Sequence, residues 1–239
     1  MSAPIPANRE CGTCPIRLTA VCSRCTPDEL SELSDMKYYR TFTAGQPVAW
    51  AEDRLDFVAS VVTGVASLSQ TLEDGRRQMV GLLLPSDFMG RPDRDVVPYD
   101  VTAVTDLTFC CFRRQPFARV VEATPHVASR LLEKTMDELD AAREWMMILG
   151  RKTARERIAS LLVILMRRNH ALQGDDTAVF DLPLTREQIA DYLGLTLETV
   201  SRQFSALKGD GMIELVGRHG IRIVHAARLQ VETGEGCLT

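Results

Sequence analysis

The stretch Leu184-Thr185-Arg186-Glu187-Gln188-Ile189-Ala190-Asp191-Tyr192-Leu193-Gly194-Leu195-Thr196-Leu197-Glu198-Thr199-Val200-Ser201-Arg202 reads as two short helices joined by a tight turn. Thr185 and Gln188 have the spacing of a capping box that opens the first helix. Ile189 and Leu193, at i and i+4, supply its buried face. Gly194 permits a left-handed turn, and Thr196 caps the second helix. On that helix Leu197, Val200, Phe204 and Leu207 share one face, and Glu198, Ser201, Arg202 and Ser205 share the other. Arg can donate to guanine O6 and N7, Glu can accept from cytosine N4, and Ser can reach phosphate or base. A polar helix face is ordinarily just solvated. Here, however, Met212–Leu215 and Ile221–Val224 flank Gly217-Arg218-His219-Gly220 as a hairpin would. The prediction is a winged helix-turn-helix that places Glu198, Ser201 and Arg202 against double-stranded DNA.

Upstream lie a predicted helix over Thr153–Arg168 and a polar break at Gly174-Asp175-Asp176. Before them, Thr124-Pro125 forms a cap-and-first-turn pair, and no Gly or Pro follows until Gly150. Such a helix is roughly 38 Å long. Leu132, Thr135, Leu139, Ala142, Met146 and Leu149 recur along it at spacings of three and four, as in a coiled-coil seam. That seam can face the chain's own β-domain or a second copy. An uninterrupted helix this long needs an apolar partner along its whole length, which predicts a homodimer through Leu132, Leu139, Ala142, Met146 and Leu149.

Between Tyr38 and Phe117 the pattern turns to short β-rich runs at Val58–Val62, Ala66–Thr71, Met79–Leu84, Val101–Val104 and Leu107–Phe112. Gly45, Gly64, Asp74-Gly75, Pro85-Ser86-Asp87 and Gly90-Arg91-Pro92 punctuate them, which predicts a sandwich, barrel or β-roll. A capped helix opens at Thr26-Pro27 and runs to about Leu33. The chain is therefore expected to be α+β, with a cysteine loop and β-roll over 1–122, a dimerisation helix over 123–150 and a winged helix-turn-helix over 151–239.

Four of the seven cysteines fall at the N-terminal end, as Cys11-x2-Cys14-x7-Cys22-x2-Cys25. Two sulfurs two residues apart can turn towards one ion, so the pattern suits zinc or an iron–sulfur cluster. The ligands can be the four local cysteines. Alternatively, three of them join a fourth from Cys110-Cys111 in the β-domain, where alternation lets only one of the pair face the site. The simpler role for Cys110 and Cys111 is core filling, and Cys237 sits in a polar tail.

Residues 1–150 carry 16 Lys+Arg against 21 Asp+Glu, a net of −5, and residues 151–225 carry 11 against 9, a net of +2. This bias is too weak to establish nucleic-acid binding. No charged-then-apolar leader and no run of 18 apolar residues occurs, so the expectation is a cytoplasmic protein that does not enter a membrane. Cysteines stay reduced there, which favours metal over disulfides. With no phosphate loop, nucleophile elbow or His–carboxylate pair, no enzymatic activity is expected.

The run Leu193-Gly-Leu-Thr-Leu-Glu-Thr-Val-Ser-Arg202 resembles the recognition motif of the CRP/FNR superfamily. The Cys-x2-Cys-x7-Cys pattern with a later cysteine resembles its alphaproteobacterial oxygen-sensing FNR branch, and the likeness covers nearly the whole chain. The resemblance implies a transcription activator that holds a [4Fe-4S] cluster and binds DNA as a dimer at low oxygen. Carried over, the ligands are Cys11, Cys14, Cys22 and Cys110, because Ala103–Cys110 is similar to the family strand that leads into its ligand. Glu198, Ser201 and Arg202 would read a palindromic TTGAT-N4-ATCAA-like site, with RNA polymerase as a further partner. The spacing departs from the enterobacterial Cys-x2-Cys-x5-Cys, and Cys25 is an extra cysteine in reach. A zinc-stabilised, oxygen-insensitive regulator is the alternative. Cyclic nucleotide is not expected as a ligand, since Ser86-Asp87-Phe88-Met89-Gly90-Arg91-Pro92 lacks the Arg-Ser/Thr pair of the phosphate cassette.

Overall fold

The computed structural model describes residues 11–173, 179–217 and 220–235. The break at Gly174-Asp175-Asp176, the wing tip at Arg218-His219 and Cys237 lie outside them. The chain divides into two compact units, Met1–Leu139 and Asp140–Thr239.

The first unit begins with the cysteine loop and α1 (Pro27–Met36), whose capping box pairs Thr26 with Glu29. Eight strands follow: β1 (Lys37–Phe42), β2 (Pro47–Ala49), β3 (Phe57–Thr63), β4 (Ala66–Thr71), β5 (Arg77–Leu83), β6 (Phe88–Met89), β7 (Asp100–Ala103) and β8 (Leu107–Arg113). They form two antiparallel sheets, ordered β1-β8-β3-β6 and β2-β7-β4-β5. Period-two alternation sends Phe57, Ala59, Val61, Phe109 and Cys111 into the core between the sheets. The opposite face of the first sheet offers Val58 and Phe112 to Leu33 of α1 and to Phe117 and Val120 of α2 (Arg114–Ala123). At the β3–β4 turn Gly64 takes φ +82°, and a Cβ there would stand 2.1 Å from the Asp106 carbonyl oxygen.

The long helix α3 (Pro125–Arg151) crosses the division between the units without interruption. In the second unit α4 (Ala154–Gln173) buries Ile158, Leu161 and Leu162. Then come β9 (Val179–Asp181), α5 (Arg186–Leu193), α6 (Leu197–Gly209), β10 (Ile213–Val216), β11 (Gly220–Ile223) and α7 (Ala226–Val231). The three strands make a small sheet ordered β10-β11-β9, so the wing hairpin gains a third strand.

Several elements differ from expectation. The first helix runs three residues further, to Met36, and passes directly into β1. The β-rich region ends before Phe117, because Arg114–Ala123 is helical. Pro116 lies in the first turn of this helix, where no intrahelical N–H is needed. Leu197 is 51% exposed rather than part of the buried face of α6. It is the first residue of that helix, before the apolar stripe has turned inward.

Candidate functional site

A series of tight turns shapes the cysteine loop. Backbone bonds run from Arg17 N to the Cys14 carbonyl at 2.9 Å, from Ala20 N to Ile16 at 2.8 Å and from Cys25 N to Cys22 at 3.2 Å. Arg17 reinforces the loop, donating to the carbonyls of Cys22 at 2.7 Å and Cys25 at 3.3 Å. Loop and sheet together enclose one pocket, lined by Cys11, Cys14, Cys22 and Cys110 with Ile16, Ala20, Val21, Leu33 and Phe112. Tyr39 and Ser60 complete the lining.

Strand register explains which β-domain cysteine reaches the pocket. In β8, Cys110 lies opposite Tyr39 of β1 and Ser60 of β3, and all three share one face. Cys111 points the other way and is fully buried between the sheets. Cys25 packs below the loop with Val21 and Leu33.

The pocket is apolar, so burial pushes the Cys22 thiol up to about 11, partly offset by Arg17, and burial also pushes Cys110 well above the ordinary thiol value. Cys22 and Cys110 are thereby held as thiols, and a bound cation would displace their protons. Four sulfurs with an apolar shell fit an iron–sulfur group, and a zinc ion held by four thiolates shares that donor chemistry. Among the described residues, no three Cys, His, Asp or Glu side chains are gathered closely enough to hold a single metal ion.

In the second unit the helix-turn-helix has the local features its sequence implies. The Thr185 hydroxyl accepts from Gln188 N at 3.2 Å, while Gln188 Oε1 accepts from Thr185 N at 2.8 Å. Gly194 ends α5 in the left-handed region at φ +60°, and Thr196 accepts from Thr199 N at 3.2 Å. Val200, Phe204 and Leu207 are buried. Glu198, Ser201, Arg202 and Ser205 are exposed, with Ser205 returning its hydroxyl to the Ser201 carbonyl at 3.0 Å. Among the described residues neither Glu198 nor Arg202 is held in an ion pair, so both reach solvent from one face of α6.

Sequence reading missed the groups that fix this unit. Arg157 donates to the carbonyls of Lys152 at 3.0 Å, Leu193 at 2.8 Å and Leu149 at 2.8 Å, tying the end of α3 to the turn of the helix pair. Trp145 stacks on Tyr192 with ring centroids 3.9 Å apart. Ser60, Tyr39 and Arg17 were missed at the pocket, because only strand register and loop folding bring them there.

The seam residues of α3 are uncovered within one chain. Leu132 is 63%, Leu139 42% and Met146 72% exposed. Ala142 is also exposed, Leu149 is half-buried, and Met136 and Met147 add to the apolar surface. No helix among the described residues is long and apolar enough to cross a membrane.

Comparison with known proteins places both units. Residues 39–124 match the cyclic nucleotide-binding domain, and residues 156–231 match the Crp-like helix-turn-helix domain. Over 228 residues the chain is 64% identical to the transcriptional activator protein FnrL of Cereibacter sphaeroides, covering 94% of this chain and 92% of that one. It is 38% identical to the nitrogen fixation regulation protein FixK of Bradyrhizobium diazoefficiens, covering 94% of each. The solved structure of FixK2 from Bradyrhizobium japonicum aligns with TM-score 0.75 at 30% identity, over 84% of this chain and 98% of that one. With its β-roll, long helix and winged helix-turn-helix in this order, the chain belongs to the Crp/FNR family.

Proposed function

We propose that the chain is a homodimeric, oxygen-responsive transcription activator of the FNR type, whose DNA affinity depends on a [4Fe-4S] cluster held by Cys11, Cys14, Cys22 and Cys110. One observation carries this reading: those four cysteines, and not Cys25 or Cys111, line a single apolar pocket between loop and sheet. The 64% identity to a transcriptional activator protein supports the regulatory part. When bound, the cluster supplies a group that oxygen can oxidise. The chain's own residues do the rest. The turns of the loop orient three thiolates, β8 holds the fourth, and Ile16, Ala20 and Leu33 keep water away.

The loop is also bonded to α3, through Arg130 to the Thr19 carbonyl and through Arg24 to Glu133. Loading the pocket therefore biases the helix whose seam pairs two copies. Paired copies set two α6 helices on a palindrome of TTGAT-N4-ATCAA type, with Glu198, Ser201 and Arg202 at base edges. The boundaries are a sensor domain over 1–122, a dimerisation helix over 123–150 and a DNA-binding domain over 151–239, in the cytoplasm, with RNA polymerase as the further partner. No cyclic nucleotide is needed. Asp87 and Asp93 flank the turn where its phosphate would sit, and Arg91 is engaged by Asp93 at 3.0 Å.

Anaerobic isolation tests the reading. The expected protein is brown, carries iron and sulfide, binds the palindrome, and loses colour and binding together in air. A colourless protein that carries zinc and binds equally in air overturns it.

A further inference from the structure

The pocket lining is apolar apart from the cysteines, Tyr39 and one buried hydroxyl. Ser60 is 2% exposed and lines the pocket, and its Oγ has no hydrogen-bond partner. The other described buried serines all have partners. Ser67 donates to the Thr102 carbonyl, Ser69 accepts from Arg77, Ser86 meets Thr19, and Ser160 accepts from Lys152. An orphaned buried hydroxyl is unfavourable, and alanine would fill the same place without that penalty. Ser60 is directly opposite Cys110 in the β3–β8 register and on its face of the sheet. Opposed residues of an antiparallel pair bring their Cβ atoms within about 5 Å.

From this juxtaposition of an unpartnered buried hydroxyl with the Cys110 thiol in one sulfur-lined pocket, we infer that Ser60 donates its hydroxyl hydrogen to a sulfur of the bound iron–sulfur group and makes that group harder to oxidise. The inference rests on the iron–sulfur reading above. A thiol is a weak acceptor, whereas a metal-bound thiolate or sulfide carries the negative charge that an O–H donor prefers. Such a bond favours the more electron-rich state and raises the reduction potential. When bound, such a group would supply one-electron chemistry, with dioxygen as the oxidant and superoxide as the product that departs. The Ser60 proton stays on Oγ, and no bond to the serine forms or breaks. Ser60 is thus a positioning residue that tunes the response to oxygen.

The test compares the full chain with Ser60→Ala and Ser60→Thr, each loaded without oxygen from ferrous iron and sulfide. Expected for Ser60→Ala are iron and sulfide contents equal to the parent and bleaching in air about fivefold faster. The shift of its iron–sulfur stretching bands in D2O should also be lost. Ser60→Thr, which keeps the hydroxyl, should restore both. The metal-free Ser60→Ala chain should melt about 2–4 °C higher than the parent, because the orphaned group is gone. A packing role would shift melting and cluster lifetime in the same direction, so the opposite signs identify the hydrogen bond. Parent-like bleaching with a retained D2O shift in Ser60→Ala overturns the proposal. A parent chain that takes up no iron and sulfide overturns instead the reading beneath it.

Discussion

Arg130 on α3 donates from Nη2 to the Thr19 carbonyl oxygen of the cysteine loop at 2.9 Å, and from Nη1 to Glu133 at 2.9 Å. Glu133 also receives Arg24 from the other end of the loop at 2.5 Å. The Arg130 side chain is only 18% exposed, so its bonds are sheltered from solvent. Loop and helix are thereby joined at two points.

Arg130→Ala should therefore uncouple the loop from the helix while leaving the cysteines in place. Iron and sulfide contents are expected to match the parent. The ratio of DNA affinities between loaded and metal-free protein should fall by roughly tenfold, the equivalent of about 1.4 kcal/mol from a lost charge-assisted bond. Paired titrations without oxygen measure this, and an unchanged ratio rules out the Arg130 link.

The strand faces separate the two adjacent cysteines. Cys110→Ala should abolish cluster assembly, as should Cys11→Ala, Cys14→Ala and Cys22→Ala. Cys111→Ala and Cys25→Ala should assemble normally. Both should lower stability by about 1 kcal/mol, because each side chain is packed in a core. Iron, sulfide and thermal unfolding of all six variants decide the assignment.

A charge on the uncovered stripe of α3 should block pairing. Leu139→Glu puts a carboxylate at the centre of the seam, where it would have to be desolvated. Sedimentation should then show a monomer that keeps its iron and sulfide but binds the palindrome at least roughly tenfold more weakly. A Leu139→Glu chain that still sediments as a dimer would place the interface elsewhere.

At the recognition helix, Arg202→Ala should lose roughly 1–3 kcal/mol on the specific site and relax discrimination at one base pair. Glu198→Ala should behave differently. A carboxylate near phosphates adds little affinity, so its removal should keep or raise nonspecific binding while specificity falls. Titrations of both variants against every single-base change in one half-site check this.

Much of the fold follows from local signals. Thr185, Gln188, Gly194 and Thr196 determine the helix-turn-helix by capping and backbone preference alone, and each performs that role in the structure. The runs of β3, β4, β5, β7 and β8 were legible because alternation and turn residues mark them, whereas β1 was not singled out and β2 and β6 are too short to carry a pattern. The helix at Arg114–Ala123 was not anticipated, because its start depends on where the preceding strand ends.

By itself, the sequence determined the two-unit order, the long uninterrupted helix, the exposed polar face of α6 and the cysteine-rich start. All of these are properties of neighbours within a few residues. Only the tertiary structure decided which cysteine joins the loop, and that Ser60 and Tyr39 flank Cys110. It alone also decided that Arg130 grips Thr19 across 111 positions of chain and that Arg157 joins three separate carbonyls. The physical reason is the same in each case. Strand register and long-range hydrogen bonds bring together residues far apart in the chain, and no local propensity encodes such a meeting.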